Sequence, residues 1–147
     1  MSAPPAIPGI LVVTHGRLAE ELVAAACVIV GKVDHIHALS IGWNDDVDVA
    51  REVVRKEIAA IDRGRGVLVL TDMFGGTPTN LSLSFLAEGS VEIITGVNLP
   101  MVVKTANLAR EMSTGLTLRQ VAERVACKGR EAVVVPGDML EPEGGKP

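Results

Sequence analysis

The sequence predicts an α/β protein with a doubly wound, mainly parallel sheet and helices on both faces, and three observations carry that prediction. The runs "ILVV", "VLVL" and "VEIIT" are near-continuous in apolar β-branched and leucine residues, the pattern of strands buried on both faces. Stretches with apolar residues at helical spacing separate them, so strand and helix alternate along the chain. Glycine, proline or a capping residue punctuates the junctions. At 147 residues the chain is long enough for one such core.

The first eight residues hold three prolines and are expected to be disordered, with the domain running over 9–136. The first strand is predicted over Ile10 to Val13 and stops at Thr14-His15. Leu18, Leu22, Ala25, Ala26 and Ile29 line one face of the helix that follows, and Gly31 suits its C-terminal cap. A second strand is predicted over Val33 to Ile41, followed by the polar loop "GWNDD", which puts Trp43 at the same sheet edge as His15. The second helix, entered through Asp45 or Asp46 as cap, presents Val47, Ala50, Val54, Ile58 and Ile61 on one face. Gly64 and Gly66 bracket the turn into the third strand, Val67 to Leu70, which stops at Thr71-Asp72.

The third helix begins at Thr77-Pro78, a capping hydroxyl followed by a proline whose missing amide hydrogen costs nothing at that position. The fourth strand covers Val91 to Thr95, and a fourth helix is predicted over Met101 to Glu111, after Pro100. A fifth starts at Thr117, where Gln120 completes a capping box. The late run Ala132 to Val135 reads as a short C-terminal edge strand cut off by Pro136, and residues 137–147 as a flexible tail. Right-handed crossovers then give the flavodoxin-like strand order 2-1-3-4.

Composition narrows the function. With no tyrosine, two phenylalanines and one tryptophan, the interior is aliphatic. The net charge of −4 and the absence of a Lys/Arg cluster with interleaved aromatics argue against nucleic acid as a partner. No run approaches the ~20 apolar residues of a bilayer span, and "MSAPPAIP" lacks the pattern of a leader, so a soluble, cytoplasmic protein is expected. Cys27 and Cys127 stand a hundred positions apart, outside any metal-ligand pattern, and are expected to be reduced core thiols. Neither a P-loop nor a strand followed by G-x-G-x-x-G is present. His35 and His37 alternate on the second strand without a third ligand in register and read as an edge or surface pair.

In an open α/β sheet, ligands bind beyond the carboxyl ends of the strands, where the strand order reverses. With order 2-1-3-4 that crevice lies between the first and third strands, so the imidazole of His15 and the carboxylate of Asp72 face each other across it. A carboxylate accepting from Nδ1–H fixes the histidine tautomer and leaves Nε2 as the nucleophile. "GGTPTN" suits an anion held beside that atom: Gly75 and Gly76 let backbone approach closely, and the helix starting at Thr77-Pro78 aims unpaired amides outward. Thr14, Thr71 and Thr77 are candidates for further hydrogen bonds to phosphate, and Arg17 stands beside His15, as a phosphate contact or an exposed helix-start residue. Nothing in this set requires a metal or another cofactor.

Together "VVTHGRLAEEL", "LTDMFGGTPTNLS" and "TGVNLPMVV" resemble the IIA domain of the mannose family of the bacterial phosphoenolpyruvate-dependent sugar phosphotransferase system. The resemblance implies a cytoplasmic phosphocarrier, usually a homodimer, that accepts a phosphoryl group from the histidine-containing phosphocarrier protein and passes it to a IIB partner, here expected to be a separate protein. It implies that His15 is the phosphorylated residue and Asp72 its orienting carboxylate. Gly75, Gly76, Thr77 and Pro78 match the phosphate loop; Gly16, Gly96, Asn98, Pro100 and Met101 flank the site. Family dimers exchange an edge strand, a role for which Ala132 to Val135 is the candidate. The alternative is a regulatory module whose phosphorylation state is read by a partner protein and which feeds no transporter.

Overall fold

The computed structural model describes residues 6–42, 46–87 and 89–140, so Trp43, Asp45 and the tail beyond 140 lie outside the described residues. In chain order the elements are β1 (Gly9–His15), α1 (Leu18–Val30), β2 (Ile36–Ile41), α2 (Val47–Ile61), β3 (Val67–Thr71), α3 (Thr77–Leu83), β4 (Val91–Thr95), α4 (Leu99–Thr105), α5 (Leu108–Met112), α6 (Leu118–Glu131) and α7 (Pro136–Met139). The four strands form one sheet in the order β2-β1-β3-β4, all neighbours parallel, as the alternation of strand and helix predicts.

Side-chain alternation in β1 divides the core. Ile10 and Val12 face α1, α4, α5 and α6, together with Leu68, Leu70, Val102 and Leu108. Leu11 and Val13 face α2 and α3, together with Val54, Ile58, Val69 and Leu81. Each face is therefore covered by helices, the condition under which a parallel sheet is stable. His15 follows Val13 with the same parity, and so falls on the α2/α3 side.

The helix boundaries follow local chemistry. Asp46 is the cap of α2, its carboxylate accepting from the amides of Asp48 and Val49 at 2.9 and 3.1 Å. At α6, Gln120 N donates to the Thr117 hydroxyl and Thr117 N to the Gln120 side chain, a complete capping box. Gly31, at φ 87, closes α1.

Four expectations are corrected. β2 starts at Ile36 rather than Val33, leaving His35 outside the strand. The single helix expected over Met101 to Glu111 is two, because the amides of Ala106 and Asn107 bond three residues back and tighten the chain into a turn between α4 and α5. Ala132 to Val135 forms no strand: Ala132 and Val133 continue the hydrogen bonding of α6, and Val135 leads into α7. A strand exists only by pairing, and this run lies outside the sheet, with Val133, Val134 and Val135 all exposed. At the other end, Ile7 packs against the core and Pro8 is buried, so the expected disordered segment 1–8 overreaches the fold.

Candidate functional site

The parallel register Val13↔Thr71 brings the carboxyl ends of β1 and β3 side by side and sets His15 next to Asp72. A single carboxylate oxygen, Asp72 Oδ2, accepts from the backbone amide of His15 at 3.0 Å and from its Nδ1 at 2.7 Å. Asp72 Oδ1 accepts from the amide of Met73 at 3.0 Å. The His15 side chain is 36% exposed and that of Asp72 only 14%, so the acid is largely covered and the ring reaches solvent. Burial pushes the Asp72 pKa up, but the backbone amide and ring of His15 outweigh it and hold the carboxyl below its usual range. An ionised Asp72 accepts from Nδ1–H, which leaves the lone pair on Nε2.

Gly76 packs directly against the Cε1–Nε2 edge of the ring. A methyl group built at Gly76 would lie 2.7 Å from His15 Cε1, 3.3 Å from Nε2 and 3.3 Å from Met73 Cγ. Glycine is thus a steric requirement for the ring position seen here. Gly75, at φ +86, turns the loop that precedes it. Gly76 is also the cap of α3, which corrects the expected start: Thr77 is already the first helical residue and makes no capping hydrogen bond, and Pro78 is buried.

Thr14 and Thr71 are drawn into the interior rather than offered to an anion. Both are fully buried. The Thr14 hydroxyl accepts from Ala19 N at 2.7 Å and donates to His15 O at 3.2 Å, joining the start of α1 to the end of β1. Thr71 Oγ1 lies 2.7 Å from Thr79 Oγ1, and Thr79 Oγ1 donates to Met73 O at 2.6 Å. Gly16 turns the chain at φ 54 and donates its amide to Ile41 O.

The residues expected to flank the site fasten helices. Asn98 Oδ1 accepts from Met101 N at 3.1 Å and its Nδ2 donates to Gly129 O at 3.0 Å, tying α4 to α6. Pro100 falls in the first turn of α4, and buried Met101 sits where a Cβ on Gly129 would come within 2.5 Å of its sulfur. Asn98 and Met101 line an open groove of about 570 Å³ along β4, with Phe74, Leu86, Ala126 and Val133. Arg17 pairs with Glu20 at 3.3 Å on the surface. His35 donates from Nε2 to Thr105 O at 2.8 Å, a structural bond. Cys127 is exposed rather than a core thiol; its Sγ donates to Glu131 at 3.3 Å, and that bond, with the charge behind it, raises the thiol pKa.

Three residues escaped the sequence reading. Met73 and Phe74 are 56% and 76% exposed immediately after Asp72, an apolar rim on the site loop. Their signal is an apolar pair in a glycine-rich loop that no amphipathic pattern buries. Thr79, in the first turns of α3, went unnoticed because nothing in its sequence context distinguishes a buried threonine from a surface one. Among the described residues, no group of three His, Cys, Asp or Glu side chains could hold a metal ion, and no helix is long and apolar enough to cross a membrane.

Residues 9–122 match the family model described as the fructose IIA component of the phosphotransferase system. The mannose-specific EIIAB component of Escherichia coli K12 is 31% identical over 97 residues, covering 65% of this chain and 30% of that protein. This chain therefore spans about a third of that relative. The fructose-specific EIIA component of Bacillus subtilis 168 is 25% identical over 133 residues, 90% of this chain and 88% of the relative. Among solved structures, the IIA protein associated with the fucose utilization operon of Streptococcus pneumoniae superposes with a TM-score of 0.78 at 26% identity, covering 95% of this chain and all of that one. The matched segment contains both His15 and Asp72, and the sheet order agrees with the expected fold: the chain belongs to the mannose/fructose IIA family of the sugar phosphotransferase system.

Proposed function

We propose that the protein is a cytoplasmic phosphocarrier that takes a phosphoryl group onto Nε2 of His15 from the histidine-containing phosphocarrier protein and passes it to a IIB partner during sugar uptake. One observation carries the reading: Asp72 Oδ2 holds both the amide and Nδ1 of His15, leaving Nε2 as the reactive atom beside the Gly75-Gly76 loop. Transfer breaks the phosphorus–nitrogen bond of the donor phosphohistidine and forms one to Nε2. The Nδ1 proton stays on the ring, which becomes cationic, and the Asp72 carboxylate stabilises that charge. The donor's imidazole leaves with the electron pair of the broken bond. For a loose transition state the site contributes mainly position and electrostatics. Met73 and Phe74 give a protein partner an apolar surface next to the reacting atom.

Incubation with phosphoenolpyruvate, enzyme I and the histidine-containing phosphocarrier protein tests this reading. The expected product is an acid-labile, base-stable phosphate, a single one per chain, lost in His15→Ala. Persistent labelling of that variant moves the site elsewhere. Homodimer formation is part of the same proposal. β4 is the last strand of the sheet, its outer edge bridged by Ala87 at Val91, and exposed Val133 lines the groove along it, so strand addition from a second copy would extend the sheet beyond that bridge. Sedimentation of the wild type against a Val134→Pro variant reads that association, because proline removes a ladder donor.

A further inference from the structure

Beneath the site loop runs a short chain of hydroxyls, and it ends on the residue that supports Asp72. Thr79 Oγ1 donates its only proton to Met73 O at 2.6 Å, so in the 2.7 Å contact between the two threonines Thr71 is the donor and Thr79 the acceptor. Both threonines are fully buried. Met73 is held from both sides of its Cα: its carbonyl by Thr79, its amide by Asp72 Oδ1. The remaining oxygen of Asp72 holds His15. Among the described residues, the one amide directed at Met73 O is that of Gly76, at a long 3.5 Å.

From this linkage we propose that Thr79 is a positioning residue for the His15–Asp72 pair. The proposal rests on the phosphocarrier reading for its consequence but not for its geometry. Thr79 holds the Met73 carbonyl against α3. That hold sets where the Met73 amide points, the amide sets the Asp72 carboxylate, and the carboxylate keeps the proton on Nδ1 of His15. Met73 and the loop carrying it are otherwise exposed, so a buried anchor is what gives a solvent-facing pair a fixed geometry. Thr71 contributes the outer bond of the chain and does not touch the loop itself.

The test uses the full chain with Thr79→Val, which keeps shape and loses the hydroxyl, Thr79→Ser, which keeps the hydroxyl, and Thr71→Val, which keeps the Thr79 bond to Met73. Nitrogen-15 NMR of His15 reports which ring nitrogen carries the proton, independent of any partner. Single-turnover transfer from the phosphorylated donor protein separates kcat from KM. Thr79→Val is expected to mix the two tautomers and to lower kcat about three- to tenfold with KM unchanged, the scale of one net hydrogen bond. Thr79→Ser is expected to restore both, and Thr71→Val to stay close to wild type. The double variant Thr71→Val/Thr79→Val removes the donor that the single change strands in the interior and is expected to match Thr79→Val, so a folding failure of the single variant does not end the test. A single Nδ1–H tautomer with wild-type kcat in a variant lacking the Thr79 hydroxyl overturns the proposal, as does a loss that serine does not restore. Failure of wild-type His15 to accept phosphate would overturn the phosphocarrier reading alone, because the tautomer measurement still decides the role of Thr79.

Discussion

Gly76 and the imidazole of His15 are in steric contact: a methyl group on Gly76 would sit 2.7 Å from Cε1. The backbone at Gly76 is extended, φ −79 and ψ 164, which any residue adopts, so Gly76→Ala brings no conformational strain and its effect falls on the ring. The ring reaches solvent, and the contact with an added methyl group would push it from its place against Asp72. Gly76→Ala is therefore expected to slow phosphorylation of His15 by about tenfold or more, as misplacement of a reacting atom does. Stability should change by less than about 1 kcal/mol, because the displaced group is at the surface. Labelling rate and chemical denaturation on the same preparation check the two halves.

Asp72→Asn tests tautomer control. Asparagine preserves the shape but lacks the charge, and its amide nitrogen, placed where Oδ2 stands, cannot accept from Nδ1–H. Transfer to His15 is expected to fall by about 10²-fold or more, the scale of losing one preorganised electrostatic contact to the charge that develops in transfer. Rapid-quench labelling with the phosphorylated donor measures it, and unchanged kinetics would remove Asp72 from the mechanism.

The pair itself was legible in the sequence because a parallel sheet converts strand order into proximity. Two apolar runs ending on Thr14-His15 and Thr71-Asp72 become neighbours once the order is 2-1-3-4, and the register Val13↔Thr71 completes the placement. The threonines were not legible in the same way. Thr14 and Thr71 look like ligand residues because they end strands at the site edge, yet their hydroxyls satisfy Ala19 N and Thr79 inside the fold, a demand set by burial and invisible in one dimension. Ala132 to Val135 has strand composition but no described partner strand, and composition alone cannot supply the neighbour a strand requires. The break between α4 and α5 was missed because apolar spacing continues across it, through Leu108 and Met112, while the backbone does not.

Asp72 also links the site to acid stability. Its pKa in the folded protein lies below the ordinary 3.8, so folding is favoured by the ionised form and that contribution is complete above 3.8. It is lost as pH falls below 3.8 through the lowered value. Asp72→Asn cannot titrate, so the stability difference between wild type and variant is expected to shrink in that acid range. Glu111, held below its usual range first by its bond to Lys104, is present in both proteins and cancels in the comparison. Urea denaturation of both across the acid range makes the measurement; a gap that widens with acid would contradict the sign.

At the opposite end of β1, the same steric reasoning predicts the opposite phenotype. A methyl group at Gly9 would lie 2.6 Å from Ile61 O and 2.9 Å from Ile61 Cγ1, where the start of β1 touches the end of α2. The nearest atom is backbone, so relief requires α2 to move off the sheet, and its Ile58 and Ile61 pack in the core. Gly9→Ala is expected to cost about 1–3 kcal/mol, the range for overpacking a dense interior. Six residue steps along β1 lead from Gly9 to His15, about 20 Å at the usual rise per residue. Below its lowered melting temperature the variant should therefore phosphorylate His15 at the wild-type rate. Thermal denaturation together with labelling at a temperature where both proteins are folded distinguishes this outcome from that of Gly76→Ala, in which transfer falls and stability holds; a transfer defect in folded Gly9→Ala would mean that strain at the start of β1 reaches its far end.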